Sequence, residues 1–199
     1  MSRLSLVSGL TAVGLVMAVA GCDSAGGEAA QESAETASAD APPPPQLPGQ
    51  IVRAFAGTEL PALSFADTAG NSLDLGNLER PVLVNLWATW CAPCVIEMPM
   101  LDTLAGELEG ELDVRTISQD VRGAELVGPF FAQRDFAHLE QWLDPQNDLG
   151  VAFADGGLLP MTILFDAEGR EIFRVAGGYE WDSEEAIAQV REAIADSAS

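Results

Sequence analysis

Cys91 and Cys94, separated by two residues, are the side chains of this sequence best suited to chemistry. They stand in Cys91-Ala92-Pro93-Cys94, after the near-continuous apolar run Val82-Leu83-Val84-Asn85-Leu86-Trp87 and before a stretch of helical periodicity. A cysteine at the start of a helix meets unpaired N–H groups and the positive end of the dipole, and both favour a thiolate. Its pKa is expected in the range ~3.5–7.5. A second thiol less than one turn on is close enough to attack a mixed disulfide formed at the first, which makes the pair a thiol–disulfide exchange device. The same spacing also serves as half of a zinc site or as an inert disulfide. Zinc needs two more soft ligands, and only His138 is available.

The surrounding elements must hold that pair in place. Val82–Trp87 suits a central strand buried on both faces. After the cysteines, Val95, Met98, Leu101, Leu104 and Leu108 recur every three or four residues and form one helix face. Pro93 falls in the first turn, where its missing N–H costs nothing, and Pro99 inside the helix is expected to kink it. A strand is expected over 112–118 and a helix over 124–133, interrupted at Gly128-Pro129. A short strand follows near Gln141-Trp142-Leu143, with a helical turn after Asp144-Pro145. Met161–Phe165 and Glu171–Ala176, joined through Asp166-Ala167-Glu168-Gly169, read as a β-hairpin. The last helix is expected to start at Asp182, with Glu185 completing a capping box and Ile187, Val190 and Ile194 facing the core. Upstream, 63–66 and 72–75 form a further hairpin through Thr68-Ala69-Gly70-Asn71. The sum is a mixed α/β layer fold around one sheet.

The first fifty residues have another character. Arg3 precedes an uncharged apolar run from Leu4 to Ala20, too short for a comfortable membrane span and long enough for a signal-peptide core. It ends in Val19-Ala20-Gly21-Cys22, which resembles the lipobox of bacterial lipoproteins; an uncleaved anchor is the alternative. Residues 1–21 are therefore expected to be a lipoprotein signal peptide and Cys22 the lipidated residue. Two or more acyl chains hold a protein stably on a membrane. An Asp after the cysteine, here Asp23, resembles an inner-membrane retention signal. Residues 22–50 hold five acids, no base and Pro42-Pro43-Pro44-Pro45, as expected of a disordered tether. The folded domain is expected over 51–199. With Cys22 lipidated, the three cysteines resolve into one anchor and one redox-capable pair.

Charge narrows the partners. The chain of 199 residues has 31 acids and nine bases, all Arg, for a formal net charge of -22. Residues 51–199 keep 26 acids against 8 Arg, a net of -18. A surface this negative repels phosphate, and nucleic acid is not an expected partner.

Trp87-Ala88-Thr89-Trp90-Cys91-Ala92-Pro93-Cys94, followed by Glu97-Met98-Pro99, resembles the thioredoxin superfamily, and within it the membrane-tethered TlpA-like (ResA-like) thiol–disulfide oxidoreductases. The resemblance covers about residues 59–197, including Leu159-Pro160-Met161-Thr162. It implies a thioredoxin-like fold, a central mixed sheet flanked by helices, with an N-terminal hairpin extension. It implies Cys91 as nucleophile and Cys94 as resolving thiol, with the redox-active disulfide and no other cofactor. It implies a cis peptide between Leu159 and Pro160, packed on the disulfide, and backbone pairing of Leu159 with an extended substrate. Trp90 is expected to form an apolar lip that docks partners, beside Pro93. Glu97 has two candidate roles, proton relay to the resolving thiol and support of the helix dipole. Thioredoxin itself has a buried Asp where this chain has Asn85, and an amide cannot relay a proton, so acid–base work falls to Glu97 or water.

The resemblance further implies a periplasm-facing enzyme that reduces disulfides of specific partners, typically apocytochrome c or copper-site proteins, and is re-reduced by a membrane electron donor. A copper-binding chaperone using Cys91 and Cys94 as soft ligands is the alternative. Copper-assembly relatives space their cysteines one residue further apart and add a distal His. A peroxidase would need a Pro and Thr motif upstream of its cysteine; this chain has Thr89 without the Pro. Met98, Met100 and Met161 read as core fillers, and Trp87 and Trp181 as packing residues.

Overall fold

A computed structural model describes residues 49–154 and 158–198. The expected signal segment, Cys22 and most of the tether lie outside the described residues, as do Gly156 and Gly157. Among the described residues no helix is long and apolar enough to cross a membrane.

Among the described residues eight strands form one sheet: β1 (Ile51–Val52), β2 (Ser64–Asp67), β3 (Ser72–Asp74), β4 (Val82–Trp87), β5 (Asp113–Ser118), β6 (Trp142–Leu143), β7 (Met161–Phe165) and β8 (Glu171–Ala176). Their spatial order is β1-β8-β7-β4-β5-β6-β2-β3. β4 lies inside, parallel to β5 and antiparallel to β7, and all six of its residues are buried. That burial explains its near-continuous apolar run. The expected upstream hairpin is β2–β3, and it extends the sheet through β6, with Ala66 opposite Leu143. β1 is an addition to the expected elements; a two-residue edge pair leaves no periodicity to read.

Four helices among the described residues cover the sheet: α1 (Ala92–Glu107), α2 (Ala124–Ala132), α3 (Asp148–Ala154) and α4 (Glu184–Ser197). Strand alternation sends Leu83, Asn85 and Trp87 to one face, where Leu83 and Trp87 join the α1 residues Met98, Leu101 and Leu104 and the α4 residue Val190. Val82, Val84 and Leu86 go to the other face and pack with Phe65, Ile117, Leu149 and Phe165.

Two expectations are corrected. α2 is not interrupted at Gly128-Pro129 but runs through both. Glycine before a proline carries no Cβ to clash with the ring, and Phe130 and Phe131 hold the turn by packing on Trp87, at centroid distances of 4.8 and 6.1 Å. α4 is capped by Ser183 rather than Asp182: the Ser183 hydroxyl accepts from Ala186 N at 3.2 Å, which leaves Glu185 outside a capping box. Its deepest residues are Ala186, Val190 and Ala193, with Ile187 and Ile194 half-buried beside them. α1 continues through Pro99, as its apolar stripe requires.

Candidate active site

β4 ends at Trp87, and α1 begins after four intervening residues. Cys91 is the N-cap of α1, in extended backbone, and its sulfur accepts from Cys94 N at 3.4 Å. Pro93 occupies the first turn, where no intrahelical donor is needed. Cys91 and Cys94 are joined as a disulfide with a Cα–Cα distance of 5.3 Å. Cys91 keeps 6% of its surface and Cys94 none. The sulfur that an incoming group can reach is therefore that of Cys91, and on reduction it is also the one at the helix N-terminus. Access from outside and the helix-terminal N–H groups that favour a thiolate fall on the same residue.

Thr89 and Trp90 form the approach to Cys91. Thr89 N and Oγ1 both donate to the carboxylate of Asp120, each at 2.8 Å, and Ser118 Oγ donates to it at 2.9 Å. Asp120 is buried, and the three donors satisfy it. It was not singled out in the sequence. The available signal was register: β4 and β5 pair Trp87 with Ser118, so Thr89 and Asp120 continue the same ladder two residues on. Trp90 is 69% exposed, a lip beside the disulfide.

From the other side comes the segment before β7. The peptide bond between Leu159 and Pro160 is cis. Pro160 is buried, Leu159 half-buried, and Leu158 exposed.

Beneath the cysteines lies a buried polar chain. Glu97, one turn beyond Cys94 on the same helix, has no exposed surface. Asn85 Nδ2 donates to Glu97 Oε1 at 2.7 Å and to Thr162 Oγ1 at 2.9 Å, and Tyr179 N donates to Glu97 Oε2 at 3.2 Å. Burial pushes the Glu97 carboxyl up to about 8. The Asn85 and Tyr179 donors oppose that shift; the indole N–H of Trp181 also opposes it, although it makes no well-formed hydrogen bond. Sequence reasoning weighed Glu97 as a support for the helix dipole. Its side chain points inward among α1, β4 and the loop before α4, so the dipole role at the surface is not the one the geometry serves. An acid pushed up to about 8, one turn from Cys94, can hold or release a proton beside it.

His138 is exposed, at the far end of α1: its Nε2 lies 2.9 Å from where a Cβ on Gly106 would stand. That is roughly 22 Å along the helix from Cys91 at 1.5 Å per residue, too far to complete a metal site with the cysteine pair. Among the described residues no group of three or more His, Cys, Asp or Glu is placed to hold a metal ion. Met98 and Met161 are buried, Trp87 packs under α2, and Trp181 lies buried against Tyr179 at a ring distance of 4.9 Å.

Comparison with known proteins agrees with this geometry. The profile of the Redoxin family matches residues 55–190. The thiol:disulfide interchange protein HelX of Rhodobacter capsulatus is 30% identical over 134 residues, 65% of this chain and 73% of that protein. The thiol-disulfide oxidoreductase ResA of Halalkalibacterium halodurans is 35% identical over 127 residues, 63% of this chain and 70% of its own. Among solved structures, a thiol:disulfide interchange protein DsbE from Chlorobium tepidum superposes with a TM-score of 0.62 at 20% identity, covering 70% of this chain and 97% of that one. StoA from Bacillus subtilis gives 0.54 at 17% identity, over 67% and 98%. These structural likenesses establish a thioredoxin-like fold.

Proposed function

The chain belongs to the Redoxin family and is a thiol–disulfide oxidoreductase, and on that premise we propose that it faces the periplasm, held by lipid on Cys22 and the tether 22–50, and reduces disulfides in specific partner proteins. The observation that carries the exchange step is the asymmetry of the pair: Cys91 is accessible at the helix N-terminus and Cys94 is fully enclosed. The reduced enzyme presents Cys91 as thiolate. It attacks one sulfur of the partner disulfide, a mixed disulfide forms, and the other partner sulfur leaves as thiolate. Cys94 loses its proton and attacks Cys91 Sγ, which releases the second partner thiolate. Two electrons pass to the partner, and the enzyme is left with the Cys91–Cys94 disulfide.

Glu97 is the acid–base group we assign to Cys94, and Trp90, Pro93, Leu159 and Pro160 are the partner-binding residues. The reaction needs no cofactor beyond the disulfide. The resemblance to the TlpA-like branch supports haem-binding cysteines of apocytochrome c, or copper-site cysteines, as substrates, with a membrane electron donor restoring the dithiol. Expression of Cys94→Ser in cells tests this reading. Mixed disulfides through Cys91 with apocytochrome or copper-site partners are expected. Complexes forming on Cys91→Ser instead reverse the roles of the two cysteines, and tight copper binding without exchange replaces the enzyme with a chaperone.

A further inference from the structure

β8 ends at Ala176, and the chain turns through Gly177, Gly178 and Tyr179 before α4. The backbone of each of these three residues is bonded to a different part of the molecule. Gly177 N donates to Pro160 O at 2.9 Å, one step past the pairing of Met161 with Ala176. Gly178 O accepts from Gly49 N at 2.9 Å, beyond the pairing of Ile51 with Val175. Tyr179 N donates to Glu97 Oε2 at 3.2 Å. Gly49 and Gln50 close the expected tether 22–50. One turn therefore joins the entry of the tether, the Pro160 segment and the buried acid.

Two of those bonds share a peptide unit. The carbonyl of Gly178 and the N–H of Tyr179 stand on opposite edges of one planar amide, so a shift of either moves both. An amide whose carbonyl accepts a hydrogen bond is polarised and donates more strongly from its N–H. The donor from Gly49 thus strengthens the donor to Glu97. The approach is also close: a Cβ on Gly49 would stand 2.6 Å from Gly178 O, 2.8 Å from Gly177 O and 2.7 Å from Val175 Cγ1. Backbone oxygens cannot rotate aside as a side chain does, so a larger residue pushes the turn or leaves it. The surroundings of Glu97 let that donor act. Cys94 on α1 is held in the disulfide, and Asn85 on β4, Thr162 on β7 and the indole of Trp181 carry no charge. The Tyr179 hydroxyl donates to Gln189 on α4 at 3.2 Å. Burial, then the charges of the exposed Glu185 and Glu180, hold that phenol above its ordinary range.

We propose that Gly49 is a positioning residue for the exchange reaction: by bonding the Gly178–Tyr179 peptide, the junction of tether and domain sets how strongly that peptide holds the ionised form of Glu97 beside Cys94. The inference rests on the acid–base role given to Glu97 above and adds the contact that tunes it.

Tyr179 is the only tyrosine of the chain, so the full chain labelled with 15N-tyrosine gives one backbone amide signal, from the peptide in question. In the oxidised chain that signal is expected to titrate with Glu97 and to stop titrating in Glu97→Gln. Gly49→Ala is expected to move its midpoint about half a pH unit upwards, because a weaker N–H donor favours the carboxylate less. The pH inflection of hydroxyethyl disulfide reduction by the reduced chain is expected to move by the same amount, and to show no shift when Gly49→Ala is made in Glu97→Gln. Gly57→Ala is the control for lost stability. Gly57 has a φ of 87°, and nothing lies within 4 Å of where its Cβ would stand, so that variant is strained without touching the turn. It is expected to lower the urea midpoint and leave the titration in place. An amide midpoint unmoved by Gly49→Ala, or moved equally by Gly57→Ala, overturns the coupling. A midpoint that moves while the exchange profile stays removes Glu97, and Gly49 with it, from the reaction. Failure of the wild-type chain to reduce hydroxyethyl disulfide at any pH overturns the exchange function itself, and the amide titration still decides the coupling.

Discussion

Asn85 in the middle of β4 and Glu97 in the second turn of α1, both without exposed surface, are joined through the interior by a hydrogen bond of 2.7 Å. Strand alternation aims Asn85 at α1, and helical spacing puts Glu97 on the face of Cys94. The amide also donates to Thr162, the residue opposite it on β7. One side chain thereby ties the acid to the strand that follows the cis-Pro160 segment.

Glu97→Gln should remove an inflection near pH 8 from the pH profile of exchange. The same substitution tests stability in the oxidised chain. Burial raises the folded-state pKa of Glu97 to about 8, above its unfolded value. The folded state therefore binds the proton more tightly, and stability falls as pH rises through the window between the two values, by on the order of 5 kcal/mol in full. Urea unfolding at pH 5 and pH 8 should show that fall in wild type and a flatter profile in Glu97→Gln. An unchanged exchange profile in the variant would remove Glu97 from the proton chemistry.

Asn85→Leu removes a donor that favours the ionised carboxyl. The inflection assigned to Glu97 should move about one pH unit upwards, and the chain should lose about 1–2 kcal/mol of stability from the broken network. In a Glu97→Gln background no pH shift should remain. A shift of equal size in both backgrounds would mean that the amide acts on another group.

Asp120→Ala leaves two donors of Thr89 and the hydroxyl of Ser118 without their acceptor. A loss of about 2–4 kcal/mol is expected, with faster hydrogen exchange at the Thr89 amide. Asp120→Asn, which keeps one acceptor oxygen, should recover part of it. Wild-type stability in Asp120→Ala would show that the loop before Cys91 holds itself.

Protein extracted from membranes should have lost residues 1–21 and gained acyl mass on Cys22. Intact-mass measurement decides this, and a chain that keeps residues 1–21 without lipid would exclude the lipoprotein anchor.

The Cys91–Cys94 pair, the buried strand before it and the helix after it were legible in the sequence because each rests on local pattern: a motif, an apolar run and a 3.6-residue stripe. The cis bond at Pro160 was legible through family resemblance alone. Glu97 was legible as a residue but not as a state. Its hydrogen-bond partners Asn85 and Tyr179 lie 12 and 82 positions away in the chain, and its carboxyl is pushed up to about 8 by a burial that exists only in the folded chain. Asp120 carried no motif; only folding sets its carboxylate against Thr89. Local periodicity determines which elements form, whereas strand register and burial bring distant side chains together. A buried pKa and a carboxylate that ties two loops belong to that second kind, because each is a property of neighbours that the chain acquires only on folding.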